Sequence, residues 1–281
     1  MSTLPILTTR EAVRARFAGP RPGLVPTMGA LHAGHAALIE RCAAENAATV
    51  VSIFVNPTQF TDAADLAAYP RPMERDIAVA AASGATAVFA PSASEVYPAG
   101  FATTVSVTKL AERWEGAARP DHFAGVATVV SILLNIVRPV RSYFGEKDFQ
   151  QLQIVRRMHR DLALPGEIVG CETVRDADGL ALSSRNQRLS RGDRALAAAF
   201  PAALFAVQAL ANSGETSSDA LEAVGRARLA GVPGMTVDYL VVVDGGTLEP
   251  VPSLVPGARL LAAVRLGGVR LLDNLPLESA S

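Results

Sequence analysis

An α/β fold, with a parallel sheet covered by helices on both faces followed by a smaller α+β domain, is what this sequence predicts. Three observations lead there. Apolar β-type runs alternate with helical ones through the first half, the strand-like runs are apolar on both faces, and near Val174 the pattern changes to alanine-rich helices followed by β-type runs.

Taken in order, Gly23 to Pro26 reads as a first strand, His35 to Glu45 as a helix, Thr49 to Val55 as a strand, Glu74 to Ala82 as a helix and Ala85 to Ala90 as a strand. Gly125 to Val137 is helical, Ser142 to Phe144 a short strand, Phe149 to Leu162 a helix and Ile168 to Val174 a last strand. After the polar turn Arg175 to Gly179 come helices over Arg194 to Ala211 and Ser218 to Ala230. The β-type runs Val237 to Val243, Arg259 to Leu266 and Val269 to Leu272 follow, the last two joined by Gly267-Gly268. The expected organisation is therefore a Rossmann-like domain over 1–174 and a smaller C-terminal α+β domain over 175–281 that closes over the site. Ligands in such sheets lie at the carboxyl ends of the strands.

With 281 residues there is ample chain for a buried core. Twenty-six basic and twenty-seven acidic residues, a net charge of -1, give no global attraction to nucleic acid or to an anionic membrane, so neither is expected as a partner. Phosphate binding must be local. Cys42 and Cys171 form no CxxC pair, which argues against a structural zinc or a disulfide framework and for a reducing cytoplasm. The N-terminus lacks the apolar stretch of a secretory signal, and the longest apolar run, Ala195 to Ala211, is mostly alanine and interrupted by Pro201 and Gln208.

Most informative is Pro26-Thr27-Met28-Gly29-Ala30-Leu31-His32-Ala33-Gly34-His35, where the first strand gives way to the first helix. Free backbone N–H groups and the positive end of the helix dipole favour anions there, and Gly29 and Gly34 permit close approach. His32 and His35, three apart, fall on one side and offer imidazole donors. A capping pair or half of a metal site are the other readings, although His122 and His159 lie in unrelated segments and supply no obvious third ligand. No GxxxxGK[ST] loop and no GxGxxG is present, so phosphate must be held differently.

An HxGH turn after a first strand resembles the nucleotidylyltransferase superfamily. Further segments narrow this: Phe54-Val55-Asn56-Pro57-Thr58-Gln59-Phe60, Tyr69-Pro70-Arg71, Arg119 to Val126, Phe144-Gly145-Glu146-Lys147-Asp148-Phe149-Gln150-Gln151-Leu152, Thr173-Val174-Arg175 and Leu180-Ala181-Leu182-Ser183-Ser184-Arg185-Asn186. Together they resemble the pantothenate synthetase family, the pantoate–β-alanine ligases, from Pro26 to Asn186. The resemblance implies an ATP site made of Met28, Gly29, Ala30, Leu31, His32, Ala33, Gly34, His35, Gly145, Glu146, Lys147, Asp148, Val174, Leu182, Ser183, Ser184 and Arg185. It implies that Gln59 and Gln151 hold pantoate, that Gln59 borders β-alanine, that His35 is the catalytic histidine, and that the protein is a homodimer. Asp76 resembles a family position near the metal; an exposed helix-surface carboxylate is the alternative. Thr58, Phe149 and Leu182 depart from residues common in the family, and none removes a charged participant.

The implied reaction suits these residue types. Pantoate's carboxylate attacks the α-phosphorus of ATP, and the charge that accumulates on phosphoryl oxygens and pyrophosphate needs fixed donors: His32, His35, Lys147 and Arg185, with Mg²⁺ bridging phosphates. Glutamines orient hydroxyl and carboxylate groups without neutralising the nucleophile. An isolated Lys147-Asp148 would be a surface pair, but its position after the strand Ser142 to Phe144, at the sheet's carboxyl edge, argues otherwise, whereas Ser183-Ser184-Arg185 could equally be a polar turn with a serine cap. The adenylate must be kept from water, so a lid is expected at Thr61 to Ala68 or around Ser183. Another HxGH nucleotidylyltransferase, or a tRNA-binding relative of the aminoacyl-tRNA synthetases, are the competing readings.

Overall fold

A computed structural model describes residues 4–60 and 63–278. Thr61 and Asp62, part of the expected lid, lie outside the described residues. The chain divides into two compact units, Met1–Glu146 with Gln150–Glu172, and Lys147–Phe149 with Thr173–Ser281. The expected boundary after residue 174 is thus corrected twice: Thr173 and Val174 belong with the second unit, and so does the tripeptide Lys147–Phe149.

In the first unit the elements run β1 (Ile6–Leu7), α1 (Arg10–Arg16), β2 (Gly23–Thr27), α2 (Ala33–Glu45), β3 (Thr49–Ile53), a 3₁₀ turn Pro57–Gln59, α3 (Ala63–Ala68), α4 (Met73–Ala82), β4 (Ala87–Phe89), α5 (Ala93–Val96), α6 (Glu115–Ala118), α7 (His122–Val137), β5 (Arg141–Gly145), α8 (Phe149–Asp161) and β6 (Glu167–Cys171). The six strands pair in parallel in the order β1-β4-β3-β2-β5-β6. Chain order therefore reverses between β2 and β5, the switch point at which parallel sheets open a crevice beyond their carboxyl ends.

Successive residues of each strand feed opposite cores, as a two-residue period requires. Leu24, Val50, Phe89 and Phe144 pack with α7 and with Leu152, Val155 and Met158 of α8, whereas Val25, Val51, Val88 and Tyr143 pack with Ile39 and Cys42 of α2 and Ala80 of α4. Every residue of β3 is buried. Pro26 lacks an N–H in a central strand, an unusual position for proline; beside it the Thr27 hydroxyl donates to the Ser52 carbonyl at 2.7 Å, adding a side-chain bond between β2 and β3. Cys42 and Cys171 are buried free thiols, and burial pushes that of Cys42 up to about 11.

Helix α7 begins at His122, three residues before the apolar period suggests, because Asp121 takes a left-handed conformation (φ 64°) and turns the chain into it. Gly125 on its first turn lies against the Thr58–Gln59 backbone: a Cβ there would stand 2.4 Å from the Thr58 carbonyl oxygen.

The second unit holds α9 (Arg191–Ala197), α10 (Ala199–Asn212), α11 (Ser218–Ala230) and the antiparallel strands β7 (Thr236–Asp244), β8 (Ala258–Leu266) and β9 (Val269–Pro276), paired in the order β7-β8-β9. The single helix expected over Arg194 to Ala211 is two. Pro201 falls in the first turn of α10, where an N–H has no intrahelical acceptor to lose, and the break at Ala198 puts it there. By length and composition Arg191–Asn212 could cross a membrane; its buried side, Ala197, Phe200, Ala203, Leu204, Val207 and Ala211, is instead packed into the core with Leu240, Leu260 and Leu271. β6 ends at Cys171 rather than Val174, and β9 runs past Leu272 to Pro276.

Gly125→Ala should destabilise the protein by about 1–3 kcal/mol through overpacking against the Thr58 carbonyl. Urea unfolding monitored by circular dichroism measures this, and a midpoint equal to the wild type would show that the helix and the turn are not in the close contact described.

Candidate functional site

The turn after β2 is built by side chains that consume its backbone donors. Gly29 and Ala30 both have positive φ (82° and 52°). The Gly29 N–H donates to the Thr27 hydroxyl at 3.1 Å, and the Ala30 and Leu31 N–H groups donate to Oδ2 and Oδ1 of Asp76 at 2.8 and 2.7 Å. Gly29 is required for its φ and also for space, since a Cβ would meet Asp76 Oδ2 at 2.8 Å. Asp76, on α4, is 1% exposed, so the alternative of a surface carboxylate is corrected: it is a buried clamp on the turn.

His32 caps α2. Its Nδ1 accepts from the Gly34 N–H at 3.1 Å, and the His32 N–H donates to Nδ1 of His35 at 3.3 Å, a reciprocal capping box made of two imidazoles. Backbone N–H groups can only donate, so both rings carry their proton on Nε2 when neutral. The rings lie 4.2 Å apart, tilted at 47°. The expectation that free backbone amides of this turn receive the anion is thereby corrected for Gly29, Ala30, Leu31, His32 and Gly34, whose N–H groups are bonded internally.

Beside it, at the carboxyl end of β3, Gln59 is 8% exposed, and its Nε2 contacts Met28 Sδ at 2.9 Å while its Oε1 accepts from Asn56 Nδ2 at 3.1 Å. The Gln59 carbonyl meets His122 Nδ1 at 2.8 Å and Arg119 Nη2 at 3.2 Å. Asn56 also bonds the Gly125 carbonyl (3.1 Å) and accepts from the Tyr97 hydroxyl (2.7 Å). Burial pushes the Tyr97 phenol up, keeping it a donor. Gly145 and Glu146 end β5 and begin the 3₁₀ turn Glu146–Asp148. Gln151 is half-buried on the first turn of α8; its neighbour Gln150 is fully engaged, donating to the Leu110 and Arg113 carbonyls (2.7 and 2.8 Å) and accepting from the Glu115 N–H (3.0 Å).

In the second unit Lys147, Ser183 and Arg185 line one concavity together with Arg270 and Asn186. The Lys147 ammonium stands 3.4 Å from Asp148 and is 16% exposed. Val174 and Leu182 are joined by a hydrogen bond from the Leu182 N–H to the Val174 carbonyl (2.9 Å), and Arg175 bridges Ala181 within the same turn. That turn delivers Ser183, whose hydroxyl accepts from the Arg185 N–H at 3.3 Å and caps the 3₁₀ segment Ser184–Arg188. Arg194 fastens the turn from α9 by bonds to Asp176 and Asp178 (2.8 and 2.5 Å), and holds the Asp178 carboxyl below the usual carboxylate range.

Residues 5–276 match the model of the Pantoate-beta-alanine ligase family. The chain belongs to that family. A pantothenate synthetase of Deinococcus radiodurans is 55% identical over 267 residues, covering 92% of this chain and 95% of its own. One of Rhizorhabdus wittichii is 50% identical over 272 residues, covering 96% of each. Among solved structures, a pantothenate synthetase from Thermus thermophilus matches with a TM-score of 0.93 at 48% identity, over 96% of this chain and 98% of that one. The pantoate-beta-alanine ligase of Francisella tularensis, solved in complex with beta-gamma ATP and beta-alanine, matches with a TM-score of 0.78 at 31% identity, over 97% of each chain.

Within this ligase chain the structure brings Met28, His32, His35 and Gln59 together in one unit, and Lys147, Ser183 and Arg185 together in the other. The sequence reading missed Asn56, Tyr97, Arg119 and His122 as the frame around Gln59. Their signal was a set of polar residues in apolar surroundings, visible only once the fold makes them neighbours.

Asp76→Asn turns an amide N–H toward a backbone N–H. It should remove about 1.5–3 kcal/mol, the usual worth of a hydrogen bond to a charged group. Hydrogen exchange at Ala30 and Leu31 reads this locally, and unchanged protection of both amides would reject the clamp.

Proposed function

We propose that this protein condenses pantoate with β-alanine to give pantothenate, using ATP, through a pantoyl-adenylate. The observation that carries the reading is the imidazole pair of the HxGH turn, locked by a buried carboxylate at the strand switch point and adjoining Gln59, in a chain that matches the ligase family almost end to end.

In the first step a carboxylate oxygen of pantoate attacks the α-phosphorus, the bond to the bridging oxygen breaks and pyrophosphate leaves. The Nε2–H groups of His32 and His35 donate to the phosphoryl oxygens, where a rigid donor stabilises charge as it develops. Lys147, Ser183, Ser184 and Arg185 of the second unit supply cationic and hydroxyl ligands suited to phosphate. Asn56 and Met28 orient the Gln59 amide, whose second N–H and second lone pair bind pantoate and border β-alanine; Gln151 completes the pantoate contacts. In the second step the amine nitrogen of β-alanine attacks the acyl carbon, the bond to the phosphate oxygen breaks, AMP departs and the amine proton passes to solvent. A magnesium ion accompanying ATP would supply positive charge against the phosphate oxygens. Each Asp76 oxygen already accepts one backbone N–H, and the carboxylate would add its negative charge beside such an ion. A homodimer in a reducing cytoplasm, where Cys42 and Cys171 stay thiols, belongs to the same reading.

Exchange of labelled pyrophosphate into ATP should require pantoate and no β-alanine. His35→Ala should lower that exchange by about 10²–10³-fold, as removal of one transition-state donor does, while the lost cap lowers stability by only about 1 kcal/mol. Exchange at the wild-type rate in the purified variant would remove His35 from the mechanism, and exchange that needs a phosphorylated co-substrate instead of pantoate would reassign the protein to another nucleotidylyltransferase.

A further inference from the structure

Two consecutive buried polar residues of β9, Asp273 and Asn274, each 3% exposed, stand between Leu271-Leu272 and Leu275. Asp273 receives both arms of the Arg175 guanidinium (2.6 and 2.9 Å), and Arg175 also donates to the Gly179 carbonyl (3.0 Å), which fixes the turn leading to Ser183 and Arg185. Asn274 donates from Nδ2 to the backbone carbonyl of Lys147 at 2.8 Å and accepts at Oδ1 from Arg259 Nε at 2.6 Å. The orientation of its amide is not ambiguous: a carbonyl only accepts and a guanidinium only donates. Arg259 in turn lies 4.0 Å over the Phe149 ring, so the segment Lys147–Phe149 is gripped at its carbonyl and at its aromatic face.

A buried ion pair rarely adds stability over apolar residues of the same shape, so the burial of Asp273 and Asn274 calls for a use other than stability. Lysine supplies one. Its ammonium rides on a flexible four-carbon stem and is a poorly placed point charge unless the backbone it starts from is fixed. From these contacts we infer that Asn274 is a positioning residue for Lys147: it never touches substrate and governs the use of ATP by holding the carbonyl from which the lysine reaches into the concavity it shares with Ser183 and Arg185. This rests on the reading that Lys147 serves ATP.

The test uses Asn274→Asp, which keeps size and the Arg259 partner while removing the donor, and Asn274→Ala, each alone and combined with Lys147→Ala. Both single variants should lower pantoate-dependent pyrophosphate exchange by on the order of 10- to 100-fold, the scale of a misplaced catalytic group, with KM for ATP raised. The reaction of preformed pantoyl-adenylate with β-alanine should keep its wild-type rate, and in the Lys147→Ala background the Asn274 changes should add nothing. Wild-type exchange in both Asn274 variants beside an impaired Lys147→Ala overturns the inference alone. So does an undiminished Asn274 effect in the Lys147→Ala background, or a parallel fall of both half-reactions with a lowered Tm. Wild-type exchange in Lys147→Ala sinks the reading of Lys147 itself, and the inference with it.

Discussion

The Asp76 carboxylate accepts the Ala30 and Leu31 N–H groups, and the geometry of the HxGH turn depends on that pair of bonds. Two successive residues with positive φ do not hold themselves; alanine in particular gains nothing from a left-handed conformation. A buried carboxylate that accepts two backbone donors offsets that strain and leaves the chain only one way to enter α2. The cap at His32 follows from that entry, and the Nε2 tautomer of both imidazoles follows from the cap. What the turn presents is thus decided by a residue forty-five positions away. The same clamp explains why glycine stands at 29: any side chain would collide with the carboxylate that shapes the turn.

Around this turn the first unit supplies a polar frame in an apolar setting. Tyr97 donates to Asn56, Asn56 bonds Gln59 and the start of α7, and His122 with Arg119 grips the Gln59 carbonyl. A glutamine left to itself samples many rotamers; one whose amide is held at both ends and whose backbone is held as well is preorganised. The closeness of Gly125 to Thr58 is the steric counterpart, because it lets a helix start reach the turn that carries Gln59.

The sequence made the sheet legible where physics is local. β3 reads as a buried strand because every one of its residues is apolar or small and mostly β-branched, and α11 has the limits its pattern suggests. The HxGH turn was legible as a strand-to-helix junction with two histidines on one side. Where the reading stopped short, the missing information was tertiary. By pattern β9 ends at Leu272 because Asp273 and Asn274 are polar; they continue the strand since Arg175, Arg259 and the Lys147 carbonyl satisfy them in the interior. For Asp76 the sequence offers a place near the metal or a surface carboxylate, and not a clamp, because its partners are backbone N–H groups, which no sequence pattern displays. Lys147–Phe149 falls to the first unit on continuity, and the contacts that attach it to the second come from residues more than a hundred positions later.

On the proposed function each unit, taken by itself, would meet phosphate with a different kind of donor. In the first, five backbone donors of the turn are bonded to Asp76, Thr27 and the imidazoles, and the side chains it adds are short, rigid rings. Such donors suit the α-phosphorus, where charge develops within a fraction of an ångström and reorganisation would raise the barrier. In the second, long cationic side chains, Lys147 and Arg185, rise from backbone that β9 and the Val174–Leu182 turn hold still. A flexible cation on a fixed base suits a departing group, which must be held during bond cleavage and then released. On that reading a chain of near-zero net charge needs few cations to meet a highly charged substrate, provided that they are anchored.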